Sequence, residues 1–283
     1  MTDPTPADKS IGEIIRDNKN LSITQVEQIL AYQKQHNLKF GEAAVALGFA
    51  KREDVLWALS QQFQYPHSQG SIHTLSSELV VANAPFSAIA ESFRSLRAQL
   101  IETVFQANGK RSALAVISPN EGDGKSFFAA NLAIAFSQLG ARTLLIDADL
   151  RTPRQQDIFS VAVTAGLSNV LSGRSEINVS RPTEDLPNLY LLPVGTTPPN
   201  PLELCQRPVL PRLMQDVFNS FDYVIVDTPA ASHGADARVI AAACGAALAV
   251  GRKNSTNMSD MKKLIDALPS SQVQFAGAVF NEH

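Results

Sequence analysis

Residues 117–140 read ISPNEGDGKSFFAANLAIAFSQLG. An apolar run ends at Ile117, a glycine-rich loop follows, and Gly124-Lys125-Ser126 opens a helix-forming stretch with an apolar face. This strand, loop and helix in succession is the context a P-loop requires. The residue types carry the chemistry. Gly122 and Gly124 let the backbone curl so that successive N–H groups point at phosphate oxygens. A helix starting near Lys125 adds the positive partial charge of its N-terminus. Lys125 can reach the outer phosphates of a nucleotide, and Ser126 is placed to offer its hydroxyl to Mg²⁺. The phosphate-binding set is then Gly122, Asp123, Gly124, Lys125, Ser126 and Phe127. The general pattern G-x-x-x-x-G-K-[ST] has glycine where this chain has Pro119. The competing reading is a glycine-rich turn that caps a helix, and two further motifs decide against it.

The first is LLIDADLRTP, residues 144–153. A strand-like run ends in Asp147, with Asp149 two residues on. Two carboxylates leaving a strand end can face a metal-bound phosphate, one near Mg²⁺ and one near the incoming nucleophile. The second is DYVIVDTPA, residues 222–230, where Asp227 ends an apolar strand as the Walker B aspartate of P-loop enzymes does. Strand-like runs are Ala113–Ile117, Thr143–Ile146, Leu189–Leu192, Val224–Val226, Ala246–Val250 and Phe275–Phe280. They are continuously apolar, which suits strands of a parallel sheet covered on both faces, and helical stretches separate them. The fold class is α/β: a doubly wound, mostly parallel P-loop domain preceded by a small all-helical domain.

The helical domain takes residues 1–66 and repeats itself. A shift of 29 residues lays Gly12 on Gly41, Glu13 on Glu42, Val26 on Val55, Leu30 on Leu59 and Gln33 on Gln62. Ser22 with Gln25 reads as a capping box, and Val26, Leu30 and Gln33 recur at helical spacing. A linker over 67–86 follows Pro66 and holds Pro85, a glycine and several serines. It leads to a helix over 87–106 whose Ile89, Phe93, Leu96 and Leu100 make one apolar face. The P-loop domain takes 87–283.

Bulk properties exclude several classes. The net charge of −3 speaks against a nucleic-acid binder that relies on a general basic field. Cys205 and Cys244 are the only cysteines, too few for a disulfide framework or a zinc site. The five histidines show no metal-ligand spacing. The opening MTDPTPADKS has no apolar segment behind it, and nowhere do about 20 apolar residues run together, so the chain reads as cytosolic and any membrane role goes through a partner.

Together these motifs resemble the bacterial tyrosine kinases, a branch of the MinD-like P-loop ATPases. The resemblance covers Pro85 to the C-terminus. It rests on Glu91-x-x-Arg94-x-x-Arg97, SPNEGDGKS, LLIDADLRTP, GLSNVLSG, LPVGTTPPNPLELC, DYVIVDTPA and GAVFN. With the helical domain in front, the layout looks like the EpsG-type chain-length determinant kinases of exopolysaccharide operons. The resemblance implies a kinase and ATPase that takes ATP and Mg²⁺. Lys125 would hold the phosphates, Ser126 and Asp227 would organise Mg²⁺, Asp147 would accept the proton of the attacking tyrosine hydroxyl, and Asp149 would support metal and geometry. Glu91, Arg94 and Arg97 would join subunits of an ATP-dependent ring. The implied partner is a separate membrane-spanning chain-length determinant protein, which would hold the chain at the cytoplasmic side of the inner membrane. Asn120 stands where MinD-like proteins carry a signature lysine. Family kinases end in clustered tyrosines, whereas Tyr32, Tyr65, Tyr190 and Tyr223 are the only tyrosines here, with Tyr190 and Tyr223 expected in strands as core residues. The substrate would then be another protein, and the alternative is an ATPase switch that controls assembly of the export machinery without phosphorylating it. The helical domain resembles the N-terminal module of type II secretion ATPases, some of which bind cyclic di-GMP through an arginine before a repeated Leu-Gly pair. Ser10-Ile11-Gly12 and Lys39-Phe40-Gly41 lack that arginine, which favours a protein-docking role.

Overall fold

The computed structural model describes residues 9–62, 76–105 and 111–282, which fall into two compact units, Met1–Ile72 and His73–His283. In the first unit, α1 (Ile11–Lys19) and α2 (Ile23–His36) are followed by α3 (Phe40–Ala46) and α4 (Arg52–Gln62). Ser10 with Glu13 and Ser22 with Gln25 form capping boxes at the starts of α1 and α2, and Asn20 and Asn37 end those helices in the left-handed conformation. The repeat is visible in the core. Ile14, Ile15 and Ile29 of the first copy pack in one cluster with Ala43, Ala44 and Ala58, their equivalents in the second. One inward position differs from the sequence pattern. Leu30 is 43% exposed, and Ile29 is the buried residue. The inward stripe of α2 runs through Val26, Ile29 and Gln33, a three-then-four spacing that leaves Leu30 on the flank.

The second unit is built on six parallel strands: β1 (Ala113–Ile117), β2 (Thr143–Asp147), β3 (Leu189–Leu192), β4 (Tyr223–Asp227), β5 (Gly245–Arg252) and β6 (Gln274–Asn281). Their order across the sheet is β3-β2-β4-β1-β5-β6. The other elements are α5 (Val80–Asn83), α6 (Ala88–Leu100), α7 (Lys125–Ser137), α8 (Gln155–Ile158), α9 (Leu167–Leu171), α10 (Pro201–Cys205), α11 (Val209–Ser220), α12 (Asp236–Cys244) and α13 (Met258–Asp266). Side chains alternate between two cores. Ala113, Ala115 and Ile117 of β1 face α11 and α12, while Leu114 and Val116 face α6 and α7. Covering both faces is why β1 to β5 read as continuous apolar runs, whereas no residue of edge strand β6 is buried; the expected doubly wound sheet is what forms.

α7 is not the amphipathic helix its sequence suggests. All but two of its residues, Ser126 and Phe127, are buried, because α5 and α6 cover the side turned away from the sheet. The covering segment also moves a domain boundary. Of the linker expected over 67–86, residues 67–75 lie outside the described residues, and residues 76–86 belong to the second unit rather than to a connection. Leu79 and Val81 are fully buried, and Asn131 in the middle of α7 holds this strap. Its Oδ1 accepts from Val81 N–H at 2.9 Å, and its Nδ2 donates to the Glu78 carbonyl at 2.8 Å. The helix expected over 87–106 is α6 continued by one π-type turn, Ile101–Phe105, with residue 106 outside the described residues.

Asn131→Ala leaves one buried N–H and one buried carbonyl without their partner. At about 1–3 kcal/mol for each unsatisfied group, the expected destabilisation is about 2 kcal/mol or more. For a unit of this size that lowers the melting temperature by about 4 °C or more, and a thermal melt followed by circular dichroism checks it. No shift would mean that the strap is not held by this residue.

Candidate functional site

The loop from Ser118 to Ser126 joins β1 to α7 at the carboxyl ends of the strands, where ligands of open α/β sheets bind. Gly122 and Gly124 have φ of 81° and 95°, and a Cβ on Gly124 would collide with the side-chain amide of Asn281. Glycine is therefore required there twice over. The loop is braced from below: Ala231 and Ser232 donate their N–H groups to the carbonyls of Ser118 and Pro119, both at 2.9 Å. Asp123 braces it from the side. One carboxylate oxygen accepts from Asn120 N–H at 2.8 Å and the other from the Thr256 hydroxyl at 2.6 Å. Its side chain is spent on loop geometry, which leaves its backbone N–H for the phosphate-binding set expected of the loop.

β2 and β4 are neighbours, and their register sets Asp147 beside Asp227. Both are fully buried. Asp147 accepts the N–H groups of Asp149 at 3.1 Å, Arg154 at 3.1 Å and Gln155 at 2.9 Å. Burial, and then the charge of Asp227, pushes its carboxyl well above the usual carboxylate range. Asp149 accepts from Arg151 N–H and from both the N–H and the hydroxyl of Thr152. Asp227 Oδ2 accepts from Gln155 Nε2 at 2.8 Å. Burial pushes the Asp227 carboxyl up to about 6, although Gln155, the Ser126 hydroxyl and the Lys125 charge all pull it down. Asp227 Oδ1 is buried with no protein donor. A buried carboxylate oxygen beside Ser126 that lacks a donor fits a hydrated divalent cation. Among the described residues no group of three or more His, Cys, Asp and Glu side chains could hold a metal alone. A cation here would draw on phosphate and water, as Mg²⁺ does.

A cleft of about 340 Å³ opens above this junction and is lined by Gly122, Gly124, Lys125, Ser126, Phe127 and Asp149 of the expected residues. Asp147 and Asp227 lie behind it. Glu121 and Thr152, from the recognised motifs, also line it, and so do Glu78, Arg252, Asn281 and Arg154, the last paired to Glu78 at 2.8 Å; these last four are the unexpected members. None of these four was singled out in the sequence; only Asn281, closing the GAVFN run, lay in a recognised motif. A hollow of about 840 Å³ between α11 and α12 is larger, but none of the motif aspartates nor Lys125 lines it.

Glu91, Arg94 and Arg97 stay outside the cleft. Glu91 is exposed, Arg94 pairs with it at 2.6 Å and donates to the Pro85 carbonyl, and Arg97 donates to the Ala135 carbonyl of α7. Both arginines thus serve to hold α6 onto its own chain, a use that the i, i+3 spacing did not reveal. Tyr223 packs between the rings of Phe105 and Phe136, as expected of a core residue. Tyr190, on edge strand β3, is half-buried like Tyr223 and packs against Phe221, its hydroxyl accepting from Arg181 at 3.0 Å. Tyr65, His67, His73 and His283 lie outside the described residues.

Residues 114–283 match the CobQ/CobB/MinD/ParA nucleotide binding domain. The fold and the site thus define a MinD-like P-loop nucleotide-binding protein. The putative tyrosine-protein kinase CapB of Staphylococcus aureus is 32% identical over 206 residues, 73% of this chain and 90% of that protein. The tyrosine-protein kinase CpsD of Streptococcus agalactiae is 34% identical over 184 residues, 64% of this chain and 80% of that one. The kinase domain of the Escherichia coli tyrosine kinase ETK superposes with a TM-score of 0.67 at 28% identity, covering 74% of this chain and 80% of that domain. The chain belongs to the bacterial tyrosine-protein kinases, and its enzyme class is ATP-dependent phosphotransferase. No helix among the described residues is long and apolar enough to cross a membrane.

The raised carboxyl of Asp227 has a sign that can be measured. A carboxyl that titrates near 6 when folded and near 3.9 when unfolded contributes stability below pH 4 that is lost as pH rises through 6, about 2–3 kcal/mol in all. Asp227→Asn removes that loss. Without nucleotide or metal, the variant should be more stable than the parent at pH 7.5, and the gain should shrink toward pH 5 in urea melts. A difference independent of pH would show that the charge at this position is not desolvated.

Proposed function

We propose that this chain is an ATP-dependent protein tyrosine kinase with ATPase activity, working with a separate membrane-spanning chain-length determinant protein in exopolysaccharide polymerisation and export. The observation that carries the chemistry is the convergence of Lys125, Ser126 and Asp149 on one cleft, with the unpartnered Asp227 Oδ1 behind Ser126. The N–H groups of the braced loop and the Lys125 ammonium bind and orient the phosphates. Ser126 and Asp227 would hold Mg²⁺, which when bound would supply positive charge to offset that of the phosphates. Asp149 stands at the cleft beside the reacting phosphoryl group. Asp147 accepts the proton of the tyrosine hydroxyl as its oxygen bonds to the γ-phosphorus and ADP leaves. Support for that role is its burial beside Asp227, which raises its affinity for a proton. Because the same carboxylate accepts three N–H groups of the following loop, taking up a proton weakens its hold on residues 149–155.

The polysaccharide context, the membrane partner and the position at the inner membrane rest on the family resemblance. So does the ATP-dependent ring, which Glu91, Arg94 and Arg97 of α6 would join, Glu91 being the more exposed of the pair it forms with Arg94. The helical unit is the proposed docking module, its apolar side chains Ile23 and Leu30 standing exposed on α2.

Lys125→Ala and Asp147→Asn test the two halves of this reading. A hydrogen bond from a charged group is worth about 1.5–3 kcal/mol, so losing Lys125 should weaken ATP binding at least about tenfold by calorimetry. Asp147→Asn should bind ATP as the parent does, while transfer from labelled ATP to the partner's cytoplasmic tyrosines drops about 10²–10⁴-fold. Phosphate release by the parent without any phosphotyrosine would make the chain a nucleotide switch instead. Unchanged affinity in Lys125→Ala would remove the site itself.

A further inference from the structure

Gln155 opens α8, is fully buried, and belongs to none of the motifs read from the sequence. It nevertheless bonds to three separate parts of the site. Its Nε2 donates to Asp227 Oδ2 at 2.8 Å and to the Ser126 carbonyl at 3.0 Å, and its backbone N–H donates to Asp147 at 2.9 Å. One residue ties the loop after β2 to the end of β4 and to the first turn of α7. The orientation of its amide is fixed, because a carboxylate and a carbonyl oxygen only accept; turning the amide over would set Oε1 against both.

With Nε2 so placed, Oε1 is buried and has no protein donor, and the same holds for Oδ1 of the aspartate it grips. Buried acceptors in folded proteins are rarely left unpaired. Two of them, on two side chains hydrogen-bonded to each other, mark a place where donors come from outside the chain. Both are acceptors only, so the missing species is a donor such as water. Mg²⁺ keeps several of its waters when a protein binds it through few carboxylates, and metal-held water is a strong donor.

We infer that Gln155 is the positioning residue of the divalent-cation site. It turns Asp227 so that Oδ1 faces a cation-held water, and it presents its own Oε1 to another. The inference rests on the reading of Asp227 as a cation-side group given above. It adds a residue that never contacts phosphate and whose loss should uncouple the metal from the nucleotide. The competing reading, an ordinary buried water that satisfies both oxygens without any cation, is an outcome of the test.

The experiment follows binding of a fluorescent ADP analogue to the full chain, in EDTA and then across a Mg²⁺ titration. Gln155→Met keeps length and bulk and removes both polar ends. Affinity in EDTA should match the parent, while the Mg²⁺ midpoint should rise about 10–100-fold, the usual loss when a residue that orients a metal ligand is removed. Combining it with Asp227→Asn should add nothing to the effect of Asp227→Asn alone. On the parent protein, the side-chain amide resonances of Gln155 should shift when Mg²⁺ is added to the ADP complex. That measurement decides the matter even if Gln155→Met does not fold. An unchanged midpoint, an equal loss of affinity in EDTA, or amide signals unmoved by Mg²⁺ would each overturn the inference. If Asp227→Asn raises the midpoint and Gln155→Met does not, only the role of Gln155 falls. If neither does, the cation side of the proposed site is wrong as well.

Discussion

Two buried carboxylates side by side at the end of a sheet are costly, and much of the second unit is arranged around that pair. Parallel pairing of β2 with β4 puts Asp147 and Asp227 at the same end and in register. Each is shielded from water, and each raises the energy of the other's charge. The chain offsets this with donors. Three backbone N–H groups close on Asp147, which forces residues 148–155 to wrap around it. That wrapping carries Asp149 and Arg154 into the cleft and brings Gln155 onto Asp227. The Lys125 charge eases the ionisation of Asp227, but burial outweighs it. The junction is thus poised for positive charge from outside, which is the condition a phosphate site needs before it can gather a metal-bound nucleotide.

A second constraint keeps the loop in shape. α7 starts at the phosphate loop and is buried on nearly every side, by the sheet below and by the strap and α6 above. Asn131 bonds the strap to α7, and Arg97 bonds α6 to the carbonyl of Ala135 on the same helix. Asp123 and Thr256 tie the loop's flank to the turn after β5. The N–H groups proposed to meet the phosphates therefore sit on a frame braced by the chain's own bonds, so little ordering would have to accompany binding.

The sequence shows clearly those features that depend on local pattern. All six strands stand where continuous apolar runs stand, and Gly122, Gly124, Lys125, Ser126 and Asp149 meet in one cleft because strand ends and glycine turns are written in consecutive residues. The features it hides are bonds between distant residues. Asn131 reads as one polar residue in an apolar helix, and nothing nearby says that its partners lie some 50 residues earlier. Gln155 follows a proline-containing turn and carries no periodicity. Arg94 and Arg97 fit either a subunit contact or the capping of carbonyls, and spacing alone cannot separate the two. Leu30 and Ile29 are adjacent apolar residues on one helix, so a shift of one position decides which is core, and only the packed neighbours settle it.

The helical unit shows why a repeated motif need not mean a repeated ligand. Its two copies share glycines at positions 12 and 41, each behind a single apolar residue, which invites comparison with a nucleotide-binding pair. Packing accounts for both. A Cβ on Gly41 would stand 2.6 Å from Val55 Cγ1, and one on Gly12 would press on the ring of Phe40 at 3.4 Å. The Gly41–Val55 approach lies within the second copy, the Gly12–Phe40 approach joins the two, and the core positions are complementary in size, isoleucines in the first against alanines in the second. A symmetric ligand site needs equal copies. A large residue packed against its small equivalent needs unequal ones, because two large residues would overfill the same space and two small ones would leave a cavity. The repeat in this unit is thus explained as a solution for closing a small core.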